Sequence, residues 1–258
     1  MVELVVLGSG SKGNSTLIRT ANTALLVDAG LSARQLGLRL QDAGLDPARL
    51  DGVLLTHEHG DHVRGLRVLN RRFPTPVLGN SATLAAAGPA IGAAPEKLGF
   101  ITGMPITMGD FGITSFHVSH DAAEPVGYVL EAEGIRIGYA TDLGRITPDI
   151  VRIVQGCHVV VLEANHDVEM LWKGPYPWPT KERIRSEVGH LDNESGAAEV
   201  GALTRGETAH LVLIHLSENN NEPDLVRETY AGALERSGRD GVELTITGQR
   251  EIAPSIRF

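Results

Sequence analysis

The sequence contains a single cysteine, Cys157, among its 258 residues, so an internal disulfide framework is excluded. Basic residues are also scarce: 23 Lys and Arg stand against 32 Asp and Glu, which gives a formal net charge of -9. A basic surface that holds nucleic acid regardless of sequence is therefore not expected, because such binding depends on clustered cations. A phosphodiester substrate is not excluded, since metal-binding carboxylates count toward this charge and bound cations offset them locally.

Long apolar segments are missing as well. No apolar run approaches the ~18 residues that suggest a membrane-spanning helix, and the N-terminus lacks the basic and apolar regions of a signal peptide. The sequence shows no internal repeat and no low-complexity linker that would divide it. We therefore expect a cytoplasmic protein without a membrane partner, folded as one domain over residues 1–258.

The most informative stretch is HEHGDH at residues 57–62, which follows an apolar run. Imidazole nitrogens and carboxylate oxygens both bind borderline divalent cations such as Zn²⁺. Because side chains alternate in an extended segment, His57 and His59 are expected to share one ion. Asp61 and His62 lie beyond a glycine bend and are expected to face a second ion. The motif thus predicts half of a site for two metal ions.

A glycine-rich segment, GSGSKG at residues 8–13, follows a predicted strand at residues 3–7 and matches the GxGxxG fingerprint of dinucleotide-binding proteins. That fingerprint requires a helix at the third glycine, so that the helix N-terminus faces the pyrophosphate. The residues that follow instead predict a β-hairpin over residues 14–28. A non-catalytic nucleotide-binding module built on this segment remains an alternative.

Other apolar runs also end in residues that bind metals or transfer protons. These runs are predicted strands, and they end at His120, Asp142, Glu163 and His215, in addition to the run before His57. In layered α/β folds, functional sites gather where strands end and loops begin, so residues that are distant in sequence converge there. We therefore expect an α/β fold in which these five side chains share one pocket.

Further elements are predicted between and after these strands. Three helices are expected, at residues 34–45, residues 63–73 and an alanine-rich segment at residues 80–94. Asn80 or Ser81 is the expected N-cap of the alanine-rich helix. The last strand is predicted at residues 244–247.

Three residues beside the candidate ligands are expected to play supporting parts. Asp28, at the end of its strand, is expected to orient a neighbouring ligand rather than to bind metal. Asp121, adjacent to His120, is expected to cap a turn. His117 lies inside a strand and is predicted to be a packed residue.

With these features the sequence resembles the metallo-β-lactamase superfamily over nearly its whole length. The resemblance rests on the hairpin that ends in Asp28, the HxHxDH motif, a later histidine and aspartate, and a last histidine near the C-terminus. It implies an αββα four-layer sandwich with two facing mixed β-sheets and outer helices. It also implies a dinuclear centre, in which one ion is bound by His57, His59 and His120, the other by Asp61, His62 and His215, and Asp142 bridges the two.

Shorter stretches resemble one branch of this superfamily, the YycJ or WalJ group of metal-dependent exonucleases, which is related to tRNase Z. They are GSGSKGNS, HEHGDH, SHDAAEP, YATDLG, LEANHD, GHLDN and LIHLSENNNEP. The resemblance implies that Glu163 and His190 form a proton relay with Asp61. After this histidine, tRNase Z has Ser-Thr where this chain has Leu-Asp, so the match at His190 is less complete than the match at the metal ligands.

The predicted function is a metal-dependent phosphodiesterase, most simply a 5′-to-3′ exonuclease acting on nucleic acid, with DNA favoured. Two Zn²⁺ or Mn²⁺ ions about 3.5–4 Å apart would hold a bridging hydroxide and clamp the phosphate oxygens. His190 would protonate the leaving oxygen, since imidazole suits acid catalysis near neutral pH. A hydrolase of small esters, such as lactones or thioesters, is the alternative in another reaction class, because the same ions polarise a carbonyl.

Candidate substrate contacts lie outside this metal set. His166 is predicted to contact a phosphate or to support a metal ligand from behind. Bases could stack on Trp172 and Trp178, which lie in the proline-rich stretch 168–180. Packing of these rings within the domain or against another subunit is equally compatible with the sequence. Nearby cations favour the substrate role, namely Lys173, Lys181, Arg183 and Arg185.

Overall fold

The structure, a computed structural model, describes residues 1–92 and 94–258. Its strands are β1 (Glu3–Gly8), β2 (Ser15–Arg19), β3 (Ala24–Val27), β4 (Gly52–Leu54), β5 (Val77–Asn80), β6 (Lys97–Phe100), β7 (Ile106–Met108), β8 (Phe111–His117), β9 (Val126–Ala132), β10 (Ile135–Ala140), β11 (Val159–Glu163), β12 (His210–Ile214), β13 (Glu243–Ile246) and β14 (Ile256–Arg257). They form two seven-stranded sheets, with the orders β14-β1-β2-β3-β4-β5-β6 and β13-β12-β11-β10-β9-β8-β7. Both sheets are mixed, as predicted, because each joins an antiparallel part to a parallel part.

The helices are α1 (Ala33–Asp42), α2 (Gly60–Val63), α3 (Leu66–Arg72), α4 (Ser81–Ala86), α5 (Gly88–Ile91), α6 (Pro148–Val154), α7 (Val168–Lys173), α8 (Trp178–Arg185), α9 (Asn193–Leu203) and α10 (Pro223–Arg236). The apolar sides of α1, α3 and α5 pack on the outer face of the first sheet, and those of α6, α9 and α10 pack on the outer face of the second. The predicted αββα sandwich is therefore confirmed. No helix within the described residues has the length and apolar character needed to span a bilayer.

The alternation of side chains along each strand explains why the sandwich has three apolar layers. In β1, Leu4 and Val6 face the other sheet, whereas Val5 and Leu7 face the helices outside. The strands are consequently apolar on both faces and read as continuous hydrophobic runs. Polar groups between the sheets are paired, for example the Tyr128 hydroxyl, which donates to a backbone carbonyl of the opposite half.

Several elements predicted from the sequence are confirmed. The N-terminal strand is β1, and the segment after the glycine-rich stretch is the antiparallel hairpin β2-β3. The predicted helix at residues 34–45 is α1, which ends at Asp42. Asn80 is the N-cap of α4, where its side-chain oxygen accepts a hydrogen bond from the backbone N–H of Thr83.

The helix expected at residues 63–73 differs from its prediction. It begins earlier, at Gly60, so that Asp61 and His62 lie in the first turn of α2, and it is interrupted at Gly65 before α3. A Cβ built on Gly65 would lie 2.2 Å from the carbonyl oxygen of Leu31. The interruption therefore sits where the chain passes close to the end of the N-terminal hairpin, a contact that local sequence does not reveal.

Two other boundaries are corrected. The alanine-rich helix is divided into α4 and α5 at Ala87, and its predicted span to residue 94 includes residue 93, which lies outside the described residues. The segment at residues 244–247 corresponds to β13, but it is not the last strand. β14 follows it and pairs antiparallel with β1 at the edge of the first sheet, so the two ends of the chain meet.

Gly30 lies where the end of the hairpin passes beneath the HEHGDH turn. A Cβ built on Gly30 would lie 1.5 Å from the carbonyl oxygen of Asp61. The same two segments are joined through Asn14, whose backbone N–H donates to Asp61 O over 2.8 Å and whose carbonyl accepts from Gly30 N over 2.9 Å. Only glycine allows this approach, so the hairpin determines the position of the HEHGDH turn.

Replacing Gly30 by alanine is expected to destabilise the protein by about 3 kcal/mol or more, because the new methyl group overlaps a backbone oxygen that cannot withdraw. Gly37→Ala, in α1, is the matched control, since a Cβ there meets no atom within 4 Å and is expected to stabilise by about 0.5–1 kcal/mol. Urea unfolding of both variants measures the difference. Equal stability of Gly30→Ala and the wild-type protein would contradict this account.

Candidate metal centre

The residues predicted to bind metal or transfer protons meet at one edge of the second sheet. β10, β11 and β12 are parallel and in register, with Ala140 opposite Leu162 and Glu163 opposite Ile214. Glu163 is the last residue of β11, while Asp142 and His215 follow the ends of β10 and β12. Because parallel strands end at the same edge, their side chains lie abreast although they are far apart in sequence.

Three residues that follow strands, one in the first sheet and two in the second, have an unusual backbone conformation. Asp28, Asp142 and His215 have φ angles of 61°, 52° and 61°, in the left-handed region. Residues other than glycine are uncommon there, although Asp and His are among the types that tolerate it, and the strain is of order 1–3 kcal/mol each. Asp142 and His215 line the cavity of the candidate metal centre, and Asp28 lies behind it, hydrogen-bonded to His62.

The side chains form the two groups that the resemblance implied. Ligand atoms of His57, His59 and His120 lie within 4.8 Å of one another, and so do those of Asp61, His62 and His215. His57 and His59 precede α2, whereas Asp61 and His62 lie within its first turn. The change from extended chain to helix at Gly60 therefore separates the motif into its two halves.

Asp142 lies between the two groups. Its Oδ2 is 3.2 Å from Nε2 of His62, and its Oδ1 is 3.9 Å from Nε2 of His120. The carboxylate is buried, yet the adjacent His215 and His62 hold the pKa of Asp142 well below its usual value despite that burial. The ionised carboxylate thus lies within 3.9 Å of ligand atoms of both groups, as a bridging carboxylate requires.

Asp28 and Thr56 connect two of the histidines from behind. Asp28 accepts hydrogen bonds from Thr56 N over 2.9 Å, from Thr56 Oγ1 over 2.7 Å and from His62 Nδ1 over 2.8 Å. Since the Thr56 hydroxyl donates to Asp28, it accepts from Nδ1 of His57, at 3.0 Å. Both imidazoles therefore direct Nε2 into the site. Asp28 has the contacts expected of a residue that orients a ligand.

His120 is oriented in a similar way, through a hydrogen bond from its Nδ1. His120 Nδ1 donates to the carbonyl of Gly189 over 2.9 Å, which leaves its Nε2 as an acceptor 3.2 Å from Nδ1 of His59. His57 Nε2 is buried and has no hydrogen-bond partner among the described residues. A buried nitrogen without a partner is costly, and a divalent cation would satisfy these imidazoles together. The donor set of imidazoles and ionised carboxylates fits such a cation.

Glu163 joins the metal centre to the predicted acid. Its Oε1 accepts from His190 Nδ1 over 2.7 Å and from His215 Nδ1 over 2.9 Å, while Oε2 accepts from the backbone N–H groups of Leu143 and Leu191. Burial opposes ionisation of Glu163, but His190 and His215 lower its pKa to about 2. Both oxygens are used by N–H donors, so Glu163 orients the two histidines rather than binding metal.

A cavity of about 230 Å³ opens above these groups. Its floor is formed by Asp61, Asp142, His190 and His215, and one wall is formed by Tyr176 and by residues of α8. The exposed side of the candidate metal centre and the candidate acid thus share one opening. A substrate bound in it would contact both.

The predicted substrate contacts are not among the described residues that line this cavity. His166 is 1% exposed and neither of its ring nitrogens has a partner in the part of the chain that the structure describes. Trp172 and Trp178 stack on each other, with ring centroids 4.9 Å apart and planes at 24°. The structure therefore brings His190 to the cavity but not His166 or the tryptophans.

Sequence reasoning missed the part played by the glycine-rich segment. Ser9 Oγ donates to Asn14 Oδ1 over 2.9 Å and accepts from the backbone N–H of His215 over 2.7 Å. The Asn14 side-chain nitrogen lies 3.1 Å from Nε2 of His62. The segment therefore supports the metal centre, and β2 follows it where a dinucleotide fingerprint requires a helix. The sequence contains a signal for this supporting role, since the polar residues Ser9 and Asn14 both lie within the GSGSKGNS stretch.

Comparisons with known proteins agree with this geometry. The family model described as "Beta-lactamase superfamily domain" matches residues 23–216. The chain is 41% identical to exodeoxyribonuclease YycJ of Bacillus anthracis over 90% of this chain and 89% of that protein. It is 38% identical to exodeoxyribonuclease WalJ of Streptococcus pneumoniae over 89% and 87% of the two chains. The crystal structure of the metallo-β-lactamase fold protein YhfI from Bacillus subtilis superposes with a TM-score of 0.78, at 17% identity and full coverage of both chains.

Replacing Asp28 by asparagine is expected to weaken metal binding about 10- to 100-fold, because an amide cannot accept from all three N–H and O–H donors that face the carboxylate. Asparagine tolerates the left-handed backbone at this position, so the fold should be retained. Chelator competition with Zn²⁺ measures the affinity. Asp110→Asn is the control, since Asp110 accepts from Asn22 in a loop outside the centre; equal affinities for both variants would refute the assignment.

Proposed function

Since the chain belongs to the beta-lactamase superfamily and has the metallo-β-lactamase fold, we propose that it is a metal-dependent exonuclease that digests DNA from the 5′ end. The observation that carries this proposal is the position of Asp142 between two groups of ligands, beside a histidine–glutamate pair in the same cavity. The two exodeoxyribonucleases to which the chain is similar along most of its length support the choice of substrate.

We propose that two divalent ions bind at this centre, with Zn²⁺ and Mn²⁺ both compatible with mixed imidazole and carboxylate ligands. The first would be held by His57, His59 and His120, the second by Asp61, His62 and His215, and Asp142 would be shared. Such ions activate water at neutral pH and stabilise the charge on phosphate oxygens.

The proton that the leaving sugar oxygen needs is assigned to His190. Its Nδ1 is held by Glu163, so the other ring nitrogen is left for the substrate. The same carboxylate oxygen contacts His215, which ties the orientation of the acid to that of a proposed ligand. Asp61 faces the cavity, and although burial opposes ionisation, the hydrogen bond from His215 keeps the pKa of Asp61 below its usual value. An ionised carboxylate at this position would serve as a metal ligand, and we propose that it also belongs to the proton relay of Glu163 and His190.

The proposal also covers the domain organisation and the cellular location of the protein. Residues 1–258 act as one domain, which is supported by the pairing of β14 with β1 at the start of the chain. A cytoplasmic location is proposed because DNA is the substrate.

The test of this function is a metal-titrated assay on DNA and RNA strands labelled at the 5′ or the 3′ end, with a lactone alongside. We expect stepwise loss of nucleotides from the 5′ end of DNA, abolished by a chelator and restored by Zn²⁺ or Mn²⁺. Hydrolysis of the lactone without cleavage of either nucleic acid would instead indicate an esterase and overturn the proposal.

Replacing His190 by alanine is expected to lower kcat on DNA by about 10²- to 10⁴-fold, the usual contribution of a general acid, while metal stoichiometry is unchanged. His117→Ala is the matched control, because His117, contrary to its prediction as a packed residue, is exposed at the end of β8 and lies in a different cavity. Single-turnover cleavage and metal analysis of both variants provide the measurement. Unchanged turnover in His190→Ala would remove this residue from the mechanism.

A further inference from the structure

The four cations of α7 and α8, Lys173, Lys181, Arg183 and Arg185, have different environments. Lys173 is paired with an acidic residue one helical turn before it. Lys181 is buried and donates from Nζ to the Trp172 carbonyl over 2.7 Å, and Arg185 lies over the Trp172 ring, 4.9 Å from its centroid. Arg183 alone among these four lines the cavity above the metal centre.

The two faces of α8 explain this difference. Residues three and four apart share one face of a helix. The face toward the cavity consists of Thr180, Arg183 and Ile184. The other face packs on Trp172 and consists of Trp178, Lys181 and Arg185. The tryptophan stack and the cavity are therefore separated by the helix, and the positive charge that reaches the cavity comes from Arg183.

Asp121 fixes the direction of this guanidinium. Arg183 Nε donates to Asp121 Oδ2 over 2.6 Å, and Arg183 Nη2 donates to Oδ1 over 2.9 Å. Asp121 is the residue after His120, and its Oδ1 lies 3.5 Å from His120 Nε2. The pair thus links the first ligand group to the cavity wall. Asp121 was expected only to cap a turn; its carboxylate instead positions Arg183.

The pairing leaves Arg183 able to bind an anion. A guanidinium has five N–H donors, and the two hydrogen bonds to Asp121 leave its Nη1 without a protein partner among the described residues. The side chain is 49% exposed, so a ligand can reach it. A planar guanidinium whose orientation is already determined binds phosphate oxygens with little further loss of entropy.

We propose that Arg183, positioned by Asp121, binds the phosphate group that ends the substrate strand, so that the enzyme selects ends carrying a phosphate over ends carrying a hydroxyl. This inference rests on the proposed nuclease function. The scissile phosphate is the one that the metal ions would neutralise, whereas a terminal phosphate carries about -1.5 to -2 charges of its own. Arg183 is the one Lys or Arg among the described residues that line the cavity.

The size of the cavity agrees with binding at a strand end. Its volume of about 230 Å³ is below the ~300–1,000 Å³ of pockets that enclose drug-sized ligands. A strand end placed in it would bring its terminal phosphate close to the wall that carries Arg183. A single cation on its wall is then enough to distinguish a charged end from a neutral one.

The experiment compares two single-stranded DNA oligonucleotides of one sequence, with a 5′-phosphate or a 5′-hydroxyl, on the metal-loaded enzyme. The wild type is expected to prefer the phosphate end by about 10- to 100-fold in kcat/KM, the range of a charge-assisted hydrogen bond. Arg183→Gln should lower this preference to near one, and Arg183→Lys should restore part of it. Arg185→Gln, which removes the same charge from the opposite face of α8, should leave the preference unchanged.

Two further measurements distinguish positioning from folding. Asp121→Asn should raise KM for the phosphate end more than it lowers kcat, because the guanidinium remains but is no longer oriented. Fluorescence anisotropy with both oligonucleotides in the presence of a chelator measures binding without cleavage. There the wild type should bind the phosphate end more tightly, and Arg183→Gln should bind both ends equally.

The outcomes separate this inference from the proposed function. If Arg183→Gln slows both substrates by the same factor, Arg183 contacts the scissile phosphate or supports the fold, and terminal-phosphate selection is refuted. If the wild type digests neither oligonucleotide while metal is bound, the nuclease proposal fails. The anisotropy comparison then still decides whether Arg183 recognises a terminal phosphate.

Discussion

Three buried carboxylates, Asp28, Asp142 and Glu163, determine how the centre of this protein is built. A charge removed from water is costly unless it is paired and hydrogen-bonded. Each of these carboxylates meets that requirement with imidazole nitrogens, and all three also use backbone or hydroxyl donors. Each of these hydrogen bonds also fixes the orientation of a histidine ring. The contacts that stabilise the buried carboxylates therefore orient the candidate ligands.

The fold supplies the edge at which this can happen. Parallel strands in register end side by side, and left-handed residues at or near the ends of β10 and β12, Asp142 and His215, line the common pocket. The N-terminal hairpin contributes from the other sheet, through the close approach of Gly30 to the turn at Asp61. Strain and close packing are thus concentrated where the chemistry is proposed, as is usual for functional sites.

In the proposed mechanism, the candidate metal centre and the wall of the cavity have different roles. The histidines and carboxylates at the strand ends would bind the metal ions and transfer protons. Helix α8 would bind the end of the substrate. Its amphipathic character is unusual in that one face carries an aromatic stack and the other a single arginine. Selection of the substrate end and cleavage can therefore be altered separately by substitution.

The sequence by itself determined the hairpin that replaces a nucleotide-binding helix and the convergence of residues at strand ends, because these follow from local periodicity and from residue types. The sandwich and the two groups of candidate ligands were implied by the resemblance of the sequence to the metallo-β-lactamase superfamily. The tertiary structure alone decided that His166 is enclosed, that Trp172 and Trp178 face away from the cavity, and that Asp121 holds Arg183. The positions of the tryptophans and of Arg183 depend on which face of a short helix packs against its neighbours, and the burial of His166 depends on its bridge to Asp192. That choice is made by contacts between residues far apart in the chain, which neither spacing nor composition records.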